Sequence, residues 1–370
     1  LVLNRSPVAQ SIPQATHDRV FAAVEELGYR PDFLARSLRN RRTFSIGVVV
    51  PEISEGYAAE VMHGVESHLR QEGYFYLLAS HLSKPDLLEE YLNLLQDRLV
   101  EGFIVLAARI EKPLDLPTVV VSSHRPMEGI ANVTVDERVG ARQALGHLAE
   151  LGHEKVAFFK GPPSNVDAPF RWQAFEELAP EYGIEIRPEL VIQTSGISYG
   201  EVFYEQGYTH AQELAKRRGE FTALFAFNDI SAIGAIRGFL DAGMRVPEDV
   251  SVIGFDDIQV APFFNPSLTT VRQPLQEMGQ TAGRVLLETL ADKIRSNGGH
   301  VFFAETDADA AKYCLEVARR NNVRRIVKGK SMVTEEIGLN PALEDAGIEV
   351  TETDLGEFII QLAGETPSHI

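Results

Sequence analysis

Two aspartates, Asp256 and Asp257, stand side by side at the end of an apolar run, Val250–Phe255. Paired carboxylates serve glycoside hydrolysis, where both must face one bond. Neighbouring residues of an extended chain point to opposite faces, so this pair is poorly placed for that reaction. Cys314 is the only cysteine. It excludes an internal disulfide, and with it cysteine-ligated iron–sulfur clusters and four-cysteine zinc sites within this chain. Neither His147 nor His153 has metal-ligand spacing, and no GxxxxGK(S/T) or GxGxxG loop is present to cradle a nucleotide phosphate. The sequence therefore predicts no catalytic residue, no metal and no cofactor. Binding chemistry remains. Asn228 and Asp256 each lie just beyond a predicted strand, where open α/β sheets hold their ligands. Asn228 is also suited to cap the helix expected from about Ser231, and the two roles are compatible.

The elements that must position these residues follow one rhythm. Across residues 46–272, short apolar runs alternate with helical stretches. The runs are Ile46–Val50, Tyr74–Leu78, Phe103–Leu106, Thr118–Val121, Val156–Phe159, Ala223–Phe227 and Val250–Phe255. Between them fall Glu60–Arg70, Leu87–Leu99, Glu137–Leu151 and Ser231–Leu240. Strands that are apolar throughout and alternate with helices predict parallel sheets covered on both faces, hence doubly wound α/β layers in two lobes. Upstream, residues 18–28 predict an amphipathic helix with Val20, Ala23, Val24 and Leu27 on one stripe, and Pro31 opens a second short helix, Asp32–Leu38.

The chain has 370 residues, enough for two or three domains, with 44% hydrophobic and 24% charged residues. No apolar run is long enough to span a membrane, and a soluble cytoplasmic protein is expected. Charge is unevenly spread. The net charge is −18, yet residues 1–45 hold seven Arg against four acids. A basic head on an acidic body argues against general polyanion binding by the body and permits nucleic-acid contact by the head.

LVLN at the start, RVFAAVEELGYRPDFLARSLR, IGVVVPEIS, GVESHLRQEGY, HLAELGHEKVAF, FNDISAIGA, AGMRVPEDVSVIGFDD and PSLTTVRQP, in that order, resemble the lactose-repressor/galactose-repressor (LacI/GalR) family of transcriptional regulators. The resemblance covers about residues 1–293. It implies a helix-turn-helix head with a hinge helix over 1–45, followed by an effector domain over 46–294 similar to periplasmic sugar-binding proteins. The N-lobe would comprise 46–152 and 273–294, the C-lobe 153–272, with His153 in a lobe hinge. It implies a ligand-responsive homodimer on operator DNA. Leu38 matches the leucine that wedges into the minor groove, with Arg36, Arg39, Arg41 and Arg42 placed to hold phosphates. LVLN matches the end of the recognition helix, so the helices that read bases in the major groove are not represented, and weak, poorly specific DNA affinity is expected.

The same resemblance places Arg171, Asn228 and Asp256 in an effector pocket, with Arg171 donating two parallel bonds to a sugar and Asp256 accepting from its hydroxyls. Tyr57 would stack on the ring. Ser122 stands where many members have an Asp ligand, which puts the usual sugar preference in question. A sugar-binding module without DNA function is the alternative.

Beyond Lys293 the resemblance changes. KSMVTEEIGLN and ETDLGEFIIQLAGETPSHI, with the segment before them, resemble part of a lactate-utilisation (LUD) domain over 295–370. Bottom-up, this C-terminal α/β fragment reads as βαβαβ: His300–Ala304, Asp309–Arg320, Arg325–Lys328, Thr334–Asp345 and Glu349–Thr353, with Thr334 as a helix cap. A role in a lactate-utilisation oxidoreductase is a further alternative. The resemblance stops before the cysteine clusters such proteins carry. A natural fusion, a frame error and a chimeric assembly all fit the join.

Overall fold

In the computed structural model, residues 13–27, 42–53, 56–112, 114–124, 127–195, 203–296, 301–302, 304, 306–328 and 337–352 are described. Asn40–Lys293 form one compact unit, built from two parallel five-stranded sheets.

The first sheet contains β1 (Ser45–Val50), β2 (Phe75–Ser80), β3 (Phe103–Leu106), β4 (Thr118–Val121) and β5 (Ala131–Val133), in the order β2-β1-β3-β4-β5. β1, β3 and β4 are buried along their whole length, as unbroken apolar runs require. Helix α1 (Gln14–Leu27) precedes this unit. Helices α2 (Gly56–Gln71) and α3 (Pro85–Asp97) follow β1 and β2. Val61, Val65 and Leu69 of α2 cover one face with Ile46, Ile104 and Val119. Leu88, Leu92 and Leu95 of α3 cover the other with Val49, Phe103 and Val105.

The second sheet contains β6 (Val156–Lys160), β7 (Val191–Gln193), β8 (Ala223–Phe225), β9 (Ser251–Asp256) and β10 (Thr269–Arg272), in the order β10-β9-β8-β6-β7. Helix α4 (Glu137–Glu150) and α5 (Ala168–Leu178) bury one face of it, through Ala141, Leu145, Phe175 and Leu178 against Phe158 and Phe225. Helices α6 (Phe203–Ala215) and α7 (Asp229–Asp241) bury the other. The fold is thus a two-lobed α/β architecture of doubly wound parallel sheets.

One lobe assignment is corrected. An N-lobe ending at 152 would hold residues 137–150, but α4 packs into the second core. Its stripe of Ala141, Ala144, Leu145 and Leu148 faces Phe158 and Phe255. The chain therefore crosses between lobes within residues 133–137, and His153 lies inside the second lobe, its Nδ1 2.8 Å from Thr222 Oγ1. The return crossing leads from β10 into α8 (Leu275–Ser296), whose Leu275, Met278, Ala282 and Leu286 complete the first core. Two glycines allow α2 and α8 to touch through their backbones. A Cβ on Gly64 would fall 2.0 Å from the Gln276 carbonyl oxygen, and one on Gly279 2.0 Å from that of Val61.

The C-terminal segment has its own small core. Helix α9 (Asp307–Arg320) and α10 (Leu339–Asp345) accompany a parallel pair, β11 (Arg325–Lys328) and β12 (Glu349–Glu352). Ala318, Leu339, Leu343, Ile348 and Val350 are buried together. Thr306 caps α9 by accepting from the Asp309 amide at 3.2 Å. The expected strand over 300–304 is not formed at its described residues, Val301, Phe302 and Ala304. Phe302 instead stacks on Tyr313 of α9, with centroids 4.1 Å apart. Thr334, the expected cap, and the second short helix expected at Asp32–Leu38 lie outside the described residues.

Candidate functional site

A cleft opens between the two lobes. Pro51, Tyr57, Ser83 and Ala107 line it from the first lobe. The second lobe supplies the loop and helix start at Pro162, Asn165, Asp167 and Arg171, the strand ends at Phe227, Asn228 and Asp256, and Phe203 and Gln273. Several strands turn sharply where they meet this space. Ala107, Ser122 and Asp256 have φ of 47°, 58° and 121°, a region that costs a non-glycine residue about 1–3 kcal/mol and clusters at functional sites.

Arg171 is the most constrained of these side chains. Its Nε donates to Glu137 Oε2 at 2.7 Å and one terminal nitrogen to Glu137 Oε1 at 3.1 Å, while the other donates to the Phe227 carbonyl at 2.9 Å. The guanidinium also lies over the Phe255 ring, 3.7 Å from its centroid. Burial pulls its pKa down, but the carboxylates of Glu137, Asp256 and Asp167 together outweigh that and hold it above the ordinary arginine value.

Asn228 precedes α7, and its Oδ1 accepts from the Ser231 amide at 2.9 Å, so it caps the helix while lining the cleft. Asp256 Oδ1 accepts from Gln273 Nε2 at 2.7 Å. The neighbouring Asp257 pairs with Arg272. The two carboxylates therefore diverge, but through positive φ at both residues (121° and 58°) and not through extended backbone. Next to Asn228, the buried Asp229 accepts from Thr270 Oγ1 and, at 2.9 Å, from the Ile258 amide. Burial pushes its pKa up to about 6 against those two hydrogen bonds. Tyr57 OH bonds to Ser122 Oγ. Burial, then the Asp167 carboxylate, pushes that phenol well above its ordinary pKa.

The arrangement offers carboxylate acceptors, amide and guanidinium donors and aromatic walls around one cleft, which is the equipment of a small-polar-ligand site. A periplasmic binding protein-like domain model matches residues 145–306, and a LUD domain model matches 287–367. The chain is 32% identical over 290 residues to the HTH-type transcriptional repressor PurR of Aliivibrio salmonicida, spanning 76% of this chain and 85% of that one. The chain belongs to the LacI/GalR family of transcriptional regulators. The PurR of Haemophilus influenzae is similarly 32% identical over 289 residues, with 76% and 84% spanned. Among solved structures, transcription regulator CcpA of Lactococcus lactis matches with a TM-score of 0.59 at 26% identity, over 70% of this chain and 93% of that one. A CelR–cellobiose complex matches with a TM-score of 0.60 at 30% identity, over 79% and 88%. The present LacI/GalR chain is a ligand-responsive regulator of this type, joined to a LUD-domain match. The two domain matches overlap at 287–306, where α8 runs unbroken to Ser296.

Of the residues singled out from this LacI/GalR sequence, Tyr57, Arg171, Asn228 and Asp256 come together in the cleft. Ser122 stands behind Tyr57 as its hydroxyl partner. Arg171 differs from expectation in one respect: the two parallel bonds expected toward a ligand are made to Glu137. Arg42 gives its Nε to Glu101 Oε2 at 2.9 Å and a terminal nitrogen to Tyr74 OH at 2.6 Å, which fastens the residue to the first lobe. Arg36, Leu38, Arg39 and Arg41 lie outside the described residues. Trp172 packs at the edge of the second core. Among the described residues, no helix is long and apolar enough to cross a membrane.

Sequence reading missed Asn165, Asp167, Phe203 and Gln273. The loop GPPSNVD follows β6 and Gln273 follows β10, so the strand-end rule that found Asn228 and Asp256 would also have found three of them. Glu137 carried no such signal, because its importance lies in its distant partner.

Proposed function

We propose that this LacI/GalR regulator senses a sugar or a similar small polyhydroxylated metabolite in the inter-lobe cleft, and that occupancy alters operator binding by a homodimer. The carrying observation is the joint placement of Arg171, Asn228 and Asp256 in one inter-lobe cleft. Asp256 accepts from adjacent hydroxyls, Asn228 donates through the Nδ2 that its capping bond leaves over, and Arg171 supplies the N–H groups not used by Glu137 and Phe227. Phe203, Phe227 and Tyr57 flank the apolar face of the ring. Related structures were solved with cellobiose on CelR, glucose on a Lactobacillus casei regulator and ribose on an Enterococcus faecium regulator, which supports the ligand class.

A ligand clasped by both lobes binds their closed arrangement better than the open one, and only that difference can move the DNA-binding equilibrium. The DNA contact is assigned to the basic segment before the first strand, with Leu38 as minor-groove wedge and Arg36, Arg39 and Arg41 on phosphates. Arg42 acts instead as the anchor of that segment. On this reading the protein works in the cytoplasm and binds without catalysing a reaction.

Calorimetry of the full chain against D-glucose, D-ribose and cellobiose, with gel retardation of the DNA upstream of its gene, tests the proposal. One sugar should bind once per chain and change the retardation. Absence of binding by all three would remove the sugar assignment. Sugar binding without any salt-sensitive DNA binding would leave a sugar-binding module in place of a regulator.

A further inference from the structure

His124 comes from the first lobe, just beyond β4, yet it is bonded to the second. Its Nδ1 is 2.8 Å from Asp167 Oδ1, at the start of α5, and its Nε2 is 3.2 Å from the carbonyl oxygen of Val135 in the crossing segment. Both partners are acceptors. Only the imidazolium carries N–H on both nitrogens, so only the protonated ring satisfies both. The ring also stacks on Phe170 of α5, with centroids 4.9 Å apart and planes 26° from parallel. Asp167 lines the inter-lobe cleft. One carboxylate therefore faces the ligand space and holds the opposite lobe.

The surroundings favour a proton at this place. Asp167 faces the ring from α5, and Glu137 faces it from α4. Asp136, Arg138 and Glu177 line the same depression, with Arg138 paired to Glu177. Oxygen and nitrogen atoms of His124, Glu137 and Asp167 come within 4.8 Å of one another. Of the three groups, Glu137 is already paired with Arg171, which leaves Asp167 as the carboxylate in direct contact with the ring, matched by one imidazolium. The bond to Asp167 raises the His124 pKa above its ordinary value, against burial.

We propose that His124 is a positioning residue and a cross-lobe latch: protonated, it draws the lobes together and holds Asp167 at the cleft, so ligand affinity rises with protonation. The proposal rests on the cleft being the effector site. As pH rises through the folded-state pKa, the ring loses one donor and its charge, one of the two bonds goes, and the lobes part more readily.

The test measures the latch without ligand. Spin labels on Glu90→Cys in α3 and Glu176→Cys in α5, in a full chain carrying Cys314→Ser, report the inter-lobe distance by pulsed electron resonance. The distribution should be short and narrow at about pH 6.5 and longer and broader at about pH 9, the range a raised histidine crosses. With His124→Gln added, the distribution should stay broad and stop responding to pH. A parent that does not respond, or a glutamine variant that keeps the parent's response, would overturn the latch. Ring 15N shifts of His124 in the unmutated chain guard against a misfolded variant: an imidazolium is expected at about pH 6.5, and a neutral ring there refutes the proposal. For any sugar that binds, affinity should fall about tenfold across this range in the parent, an ordinary size for coupling between two sites, and stay level in His124→Gln. If no sugar binds, the effector reading fails while the distance measurement still decides the latch.

Discussion

Arg171 and Glu137 form a bidentate ion pair inside the second lobe, tying α5 to the first turn of α4, with the two side chains 6% and 4% exposed. A carboxylate at a helix N-terminus is favoured by the helix dipole, and a flat guanidinium meets it with two parallel bonds. The Phe255 ring supports the cation from one side. Arg171 is therefore part of the wall of the cleft and part of the frame that holds the wall.

Removing one partner of such a pair leaves an unbalanced buried charge. Glu137→Ala should destabilise the protein by about 3–5 kcal/mol, read as a lower midpoint in urea denaturation. Arg171→Leu with Glu137→Leu should recover much of that loss, because no orphan charge remains. A single variant as stable as the parent would contradict the buried pairing.

Asp256→Asn keeps the shape of the cleft and removes its charge. Loss of charge-assisted bonds to ligand hydroxyls is worth about 1.5–3 kcal/mol, so sugar affinity by calorimetry should fall about tenfold to a hundredfold. The unfolding midpoint should move little, since an amide oxygen can still accept from Gln273. Unchanged affinity would exclude Asp256 from the site.

Asp229 makes stability depend on pH. Its folded-state pKa is raised from 3.8 to about 6, so the folded protein holds this proton more tightly than the unfolded chain. The associated stabilisation is complete below about pH 4 and is lost as pH rises through about 6, amounting to on the order of 3 kcal/mol. Denaturation of the parent and of Asp229→Asn, compared between those limits, should diverge by that amount. Parallel curves would contradict the raised pKa.

Glu101 gathers the entry to the first lobe. Besides Arg42, its Oε1 accepts from the amides of Thr43 at 2.7 Å and Phe44 at 2.9 Å. Glu101→Ala should speed hydrogen exchange at those two amides about tenfold to a hundredfold, as the loss of charge-assisted bonds implies. The central strand amides, Val48 for example, should keep their protection. Unaltered exchange at Thr43 would show that the anchor is elsewhere.

Much of the frame was legible locally. The strings SIGVVV, FIVL and TVVV announce buried parallel strands because covered sheets admit apolar residues on both faces. The ends of such strands pointed to Asn228 and Asp256, because parallel sheets direct their carboxyl ends at one rim. The three-residue strands Ala131–Val133 and Val191–Gln193 were not legible. They are only partly buried and too short to show a period.

What the chain order could not reveal is which distant residues meet. Glu137 lies 34 positions from Arg171, and His124 lies 43 from Asp167. Local pattern encodes an element's type and its buried face, since these depend on neighbours three or four residues away. Whether α4 packs on the first sheet or the second, and so which lobe receives Glu137, depends on where a crossing segment leads. Only the assembled lobes decide that, through the cores each helix can complete.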